Sequence, residues 1–322
     1  MKNLTLLVIA FLNSILSQAQ VTETPTKLED ALLWKITGNG LQKSSYLLGT
    51  MHTVEFSFMF DSISGMQKVF STVEQVATEI DMIALDSIRR KTPYGANDYF
   101  MPSDTTYSML YSAEDFAFVD SVLSAGNARY AERVPAFWQE IYISYELSLR
   151  SSKHKQKKVV MDYFVLQFAR KNSKKAFFLE TLQEISNKNK RAHKSKYSQD
   201  LKGQASSLLF ILKNPDVLSN IYNELDSLYR AQKLSMFSID KLTKYFADLF
   251  EGLTEDDFRN NDLLKANNSI LLKERNDAWM AKIPKIMQQG STLIAVGAMH
   301  LTGNTGLINQ LRKMGYTVKP VE

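Results

Sequence analysis

Apolar and polar positions follow two rhythms along this chain, and the change of rhythm divides it. Near both ends, short apolar runs are cut off by turn residues. Ala31 to Thr37, then Gly38-Asn39-Gly40, then Ser45 to Gly49 reads as strand, turn, strand. Val73 to Ile80, Lys158 to Met161, Lys175 to Leu179, Thr292 to Gly297 and Tyr316 to Val321 read as further strands. Elsewhere the apolar positions recur at helical spacing. Gly65 to Ser71 predicts a short helix, and Tyr163 to Lys171 a longer one that begins beside Asp162. Ser103 to Arg150 is helical in pattern apart from Pro135. Its stripe of Phe137, Trp138, Ile141 and Tyr145 is read as core. Thr181 to Gly290 is almost wholly helical, has no fixed repeat, and carries a mobile link at Asn187 to Lys196. After Thr292 to Gly297, the turn Gly303-Asn304-Thr305-Gly306 leads into a helix over Leu307 to Lys313. Gly315 closes that helix, and the last strand follows in a βαβ arrangement. A helix start near His300 is expected to offer free N–H groups to an anion.

The first 19 residues change the picture. Met1-Lys2-Asn3, an apolar run from Leu4 to Leu16, and Ser17-Gln18-Ala19 make a secretory signal peptide with cleavage after Ala19. The expected address is therefore secreted or periplasmic. No later stretch has 18 consecutive apolar residues, so no stable membrane span is expected after cleavage. The chain has no Cys, so its core must hold it without disulfides, and about 300 residues suffice for one large domain. The net charge of +5 is mild, and the Lys-rich pieces Lys153 to Lys158 and Lys188 to Lys196 lack interleaved aromatics, which argues against nucleic acid as a partner.

Chemistry concentrates at strand ends. Two apolar runs finish in the same words: Gly49-Thr50-Met51-His52 and Gly297-Ala298-Met299-His300. The chain has four His in all, and two of them stand just past strands, where open α/β sheets place ligand sites. Acids also stand at strand exits: Glu79 and Asp81 after Val73 to Ile80, and Glu180 after Lys175 to Leu179. Asp162 follows Lys158 to Met161. Acids at the end of an apolar run are costly to bury unless paired or metal-bound. No Gly-x-Ser-x-Gly elbow, Walker loop, His-Glu-x-x-His pair or Rossmann turn is present. Two imidazoles and a carboxylate make a competent metal set that leaves positions for water. One His as general base, oriented by the other His or by Glu, is the metal-free version. The pattern does not choose among Glu79, Asp81, Asp162 and Glu180 as the acid that faces the His pair.

These blocks resemble the TraB/GumN family, which also includes the Tiki proteins. Leu33-Trp34-Lys35-Ile36 with Tyr46 to His52 is similar to the family's first Gly-x-x-His block. Thr78-Glu79-Ile80-Asp81 resembles its Glu-bearing strand, Phe178 to Thr181 a Leu-Glu-Thr block, and Glu274-Arg275-Asn276 an Arg-Asn block. Val296 to Leu301 with Gly303, Gly306 and Gly315 resembles the closing block. The resemblance implies an α/β fold of the erythromycin-esterase/ChaN-like type: a mixed central sheet flanked by helices over residues 20–322. A helical region of about 182–290 is inserted between the sheet-forming halves. It also implies a metal-dependent hydrolase, most specifically a peptidase acting on a peptide or protein. His52, His300 and Glu79 would hold a divalent metal (Mn, Co or Zn), with Arg275 beside them. The chain looks like the secreted bacterial GumN-like branch, so peptidase activity comes from the more distant Tiki branch. Two alternatives share the fold: a haem- or peptide-binding protein, and a metal-free esterase.

Overall fold

The computed structural model describes residues 28–84, 101–126, 161–185, 201–249 and 272–322, with isolated positions at 136, 139, 143 and 159. The leader, the stripe residues Phe137, Trp138, Ile141 and Tyr145, and the link at Asn187 to Lys196 lie outside them. So do both Lys-rich pieces.

Among the described residues, six strands form one sheet. They are β1 (Leu33–Gly38), β2 (Ser45–Thr50), β3 (Gln75–Thr78), β4 (Lys175–Phe178), β5 (Thr292–Gly297) and β6 (Tyr316–Pro320), in the order β4-β3-β5-β2-β1-β6. β4, β3, β5 and β2 run parallel. β1 is antiparallel to both neighbours, so β6 again points the same way as β5. The sheet is therefore mixed, with helices around it: an α/β fold. The C-terminal βαβ unit exists, but its crossover passes over β2 and β1 before β6 joins the edge.

The described helices are α1 (Ser57–Ser62), α2 (Met66–Thr72), α3 (Tyr107–Leu110), α4 (Ala113–Gly126), α5 (Met161–Lys171), α6 (Leu201–Lys213), α7 (Pro215–Arg230), α8 (Ile239–Leu249), α9 (Glu274–Met280), α10 (Ile283–Met287) and α11 (Leu307–Lys313). Every residue of β3 is buried, and β5 is buried from Thr292 to Val296. Strands covered on both faces read as continuous apolar runs rather than alternating ones. β1 and β2 form the expected hairpin, with Leu33 opposite Leu48 and Ile36 opposite Ser45. Trp34 is fully buried beneath it and donates its indole N–H to the Ala31 carbonyl at 2.8 Å.

Two boundaries depart from the sequence reading. The strand expected over Val73 to Ile80 shrinks to Gln75–Thr78, because the Val73 N–H closes α2 on the Val69 carbonyl. The strand expected over Lys158 to Met161 is not formed at Met161, which opens α5 as a fully buried first residue. A short apolar run does not separate a strand from a buried helix start. The helix expected over Leu307 to Lys313 forms there as α11, so His300 does not stand at its start. Ala298–Leu301 is a 3-10 turn.

Candidate functional site

Four parallel strands lie side by side, and each delivers one ionisable residue past its C-terminal end. Glu180 follows β4, Glu79 follows β3, His300 follows β5 and His52 follows β2. The two Gly-x-Met-His segments are thus neighbours. β2 and β5 pair with Gly49 opposite Val296 and Thr50 opposite Gly297. The two acids are tied through their backbones, since the Glu180 N–H donates to the Glu79 carbonyl at 2.8 Å.

The motif glycines Gly49 and Gly297 lie at the C-terminal ends of β2 and β5. Neither has a positive φ. A Cβ on Gly49 would stand 3.0 Å from Leu301 Cδ1 and 3.2 Å from the Ala298 Cα, so this glycine lets the two His-bearing segments close up. The Gly297 N–H donates to Glu79 Oε1 at 2.8 Å.

Helix α9 places a cation among these groups. Arg275 Nε donates to Glu180 Oε1 at 2.6 Å, Nη2 to Glu79 Oε2 at 2.5 Å, and Nη1 lies 3.1 Å from His300 Nε2. Trp279, one helical turn on, donates its indole N–H to the same Glu180 oxygen at 2.6 Å. Its ring lies under the guanidinium at 4.7 Å and beside the His300 ring at 4.4 Å. Asn276 fixes the other His300 nitrogen, with Oδ1 2.7 Å from Nδ1. The Asn276 amide N–H groups donate to the carbonyls of His300 and Thr305. Asn276 Oδ1 is an acceptor, so Nδ1 carries the His300 proton and Nε2 offers a lone pair to Arg275.

His52 is held the same way by a different partner. Its Nδ1 lies 3.0 Å from Asp162 Oδ2, and Asp162 also accepts from Thr50 Oγ1 at 2.8 Å. Asp162 is buried at the start of α5, whereas the His52 side chain is 63% exposed. Each imidazole is therefore anchored through Nδ1 to a buried oxygen acceptor. Asp81, the remaining strand-exit acid, faces away: it pairs with Arg170 at 3.0 Å and accepts from the N–H groups of Ile83 and Ala84.

The electrostatics separate the two imidazoles. Asp162 lifts His52 to about 9 by charge and hydrogen bonding; Glu79 adds to this and Arg275 opposes it. Burial pushes His300 down to about 4, with Glu79 opposing and Arg275 and His52 reinforcing. Burial works against the Glu79 charge, but His300, Arg275, His52 and the Gly297 N–H hold that carboxyl down to about 2. Burial likewise opposes the Arg275 charge, and Glu79 and Glu180 more than offset it, so its pKa is raised.

The donor types expected for a metal are present, but their arrangement does not fit one. Arg275 bridges the His300 Nε2 and the Glu79 Oε2, the two atoms an ion would take. Among the described residues, no three His, Cys, Asp or Glu side chains are placed to share an ion. A divalent ion about 4 Å from a guanidinium would be repelled by roughly 8 kcal/mol at an effective dielectric of 20. That is a large share of the ~10–16 kcal/mol that a four-ligand structural zinc site gains.

All four residues singled out from the sequence, His52, His300, Glu79 and Arg275, lie in this cluster. Sequence reasoning gave no role to Asn276 or Trp279, and left Asp162 and Glu180 as rival acids. The Arg275, Asn276, Trp279 spacing on one helix was the available signal, since residues one turn apart share a face.

An α/β sheet with an ionised cluster across the C-terminal ends of its parallel strands defines the class. The chain belongs to the TraB/PrgY/gumN family, whose model matches residues 32–320. No curated protein and no solved structure matches the chain. Among the described residues, no helix is long and apolar enough to cross a membrane.

Proposed function

We propose that this chain is a hydrolase of acyl compounds, an ester or a peptide, that works without a bound metal. The observation that carries the reading is the His52–Asp162 pair. A solvent-facing imidazole is held through Nδ1 by a buried carboxylate, and it is coupled by charge to Glu79 and Arg275. Pairs of like groups whose pKa values are pushed far apart are how acid and base roles are assigned in one site.

In this reading, neutral His52 takes a proton from water through Nε2 as the water oxygen bonds to the acyl carbon, while Asp162 keeps the ring in one tautomer. The proton passes from the imidazolium to the leaving group as the acyl bond breaks. Guanidinium has five N–H groups, and three of those on Arg275 are committed to Glu180, Glu79 and His300. Among the described residues the other two have no partner, which leaves them for the oxygen of a carbonyl that gains negative charge. Glu79, Glu180 and neutral His300 hold that cation in place. The leader read over residues 1–19 would put the activity outside the cytoplasm.

A metal-dependent peptidase is the second reading. It is favoured by the Nδ1 anchoring of both imidazoles, which is how ligating histidines are oriented. It requires Arg275 to leave His300 and Glu79. One experiment separates the two: assay the chelator-dialysed protein on aryl esters and a quenched peptide library, beside His52→Gln. The first reading expects turnover that survives chelation and falls ~100-fold or more in His52→Gln. Turnover restored only by Mn, Co or Zn supports the second. No turnover under any of these conditions counts against both.

A further inference from the structure

The helical region between β4 and β5 grips both His-bearing segments at one corner, where α7 ends. Tyr229, fully buried, donates its hydroxyl to the Gly49 carbonyl at 2.7 Å, three residues before His52. The same oxygen lies 3.2 Å from Met161 Sδ, and Met161 is the residue before Asp162. One hydroxyl thus touches the two segments that supply the His52–Asp162 pair, although they are more than 100 residues apart in the chain.

The next residue repeats the grip on the far side of His52. Arg230 forms a fork on Glu55, with both N···O distances 2.8 Å, while its Nε is held by Asp226 at 2.7 Å. It lies over the Phe58 ring, which also packs against Tyr229. A few residues on, the Phe237 carbonyl accepts from Thr302 Oγ1, two residues after His300. The His52 segment is therefore pinned before and after the imidazole, and the His300 segment after it.

Hydrogen bonds aimed at the backbone beside a working group are a costly way to fill a core, because each must be satisfied when buried. A core with no duty at the site could use Phe in place of Tyr229. We infer that Tyr229 is a positioning residue for the His52–Asp162 pair, and that the corner from Tyr229 to Phe237 fixes the separation of the two His segments. This rests on the reading of His52 as the working base. Without the hydroxyl, the Gly49 carbonyl loses that bond and the exit of β2 can shift relative to α5. Displacements of about 1 Å from such remote changes cost up to ~100-fold in rate.

The test uses the full chain with 13Cε1-labelled histidine, the His52 signal being assigned from His52→Gln. Tyr229→Phe keeps the ring and removes only the O–H. Glu74→Gln, at the opposite end of the sheet, serves as a control for a general loss of stability. The inference expects the His52 ring signal to move or broaden in Tyr229→Phe and to stay in place in Glu74→Gln. It also expects kcat to fall ~10- to ~100-fold with KM within about twofold. If Tyr229→Phe is poorly folded, Arg230→Gln loosens the second grip and should give the same signature more weakly. An unmoved His52 signal with unchanged kcat in the folded variants would overturn the inference. The ring signal needs no turnover, so it still decides the positioning role if the wild-type protein proves not to be a hydrolase.

Discussion

Arg275 lays one guanidinium nitrogen 3.1 Å from the Nε2 of His300, so the lone pair that a metal would need is already engaged. The same side chain forms ion pairs with both Glu79 and Glu180, which are largely buried. Removing it leaves two buried carboxylates without their cation, a change that typically costs about 3–5 kcal/mol. Arg275→Ala should therefore lower Tm strongly. It should also acquire a stabilising response to Mn, Co or Zn that the wild-type protein lacks, because the freed donors are electron-rich. Thermal melts with and without each ion check both halves. An equal metal response in the two proteins would contradict the assignment of Arg275 as the resident cation.

Asp162 sets when His52 can act as a base. With the imidazole lifted to about 9, its neutral form grows as pH rises towards that value. The rate constant kcat/KM should climb about tenfold per pH unit from neutrality and level off near pH 9. Asp162→Asn removes the charge that lifts the imidazole, so the plateau should begin at lower pH and at a lower rate. A profile that falls through the same range would reverse the role given to His52.

Stability should depend on pH through the same two rings, on opposite limbs. His52 binds its proton more tightly folded than unfolded. Its contribution is complete below pH 6.5 and is lost as pH rises through about 9. His300 is depressed to about 4, so the unfolded chain binds more protons between pH 4 and 6.5, and stability is lost as pH falls through that window. Urea midpoints should be highest near pH 6.5. His52→Gln should flatten the alkaline limb and His300→Gln the acid limb. Glu79 adds a further loss only below its unfolded pKa of about 4.5, as pH falls towards 2.

The two motif glycines should respond differently to a methyl group. On Gly49 it would press against Leu301 at 3.0 Å and the Ala298 Cα at 3.2 Å, with backbone on one side that cannot give easily. On Gly297 it meets only Glu79 Oε1 at 3.5 Å and His300 Cδ2 at 3.7 Å, ordinary contact distances. Gly49→Ala should cost about 1–3 kcal/mol and Gly297→Ala well under that. Chemical denaturation of the two variants is sufficient to rank them.

What could be read from the chain followed from local pattern. Buried parallel strands are apolar throughout, so Thr292–Gly297 is recognised to the residue, and the Gly-x-Met-His repeat marks two neighbouring strand ends. The weaker boundaries failed where one run serves two masters. Val73 closes a helix before β3 starts, and Met161 is apolar because it packs under Tyr229 at a helix start. Local pattern alone does not pair the groups that decide the chemistry, and only the family resemblance set Arg275 beside Glu79. Asp162 reaches His52 across 110 residues, and Arg275 reaches Glu79 across 196. No periodicity encodes such pairings. Composition allowed a cation between the acids without saying whether it would be a metal or a guanidinium.

The central claim, that a fixed arginine supplies the positive charge of a hydrolytic centre, is tested most directly by measuring turnover against metal content. Samples graded from chelated to fully loaded with Mn, Co or Zn would be analysed for bound metal and assayed on one acyl substrate. The account predicts a rate that stays level across the series and collapses in His52→Gln. A rate that rises in proportion to bound metal and vanishes in its absence would contradict it.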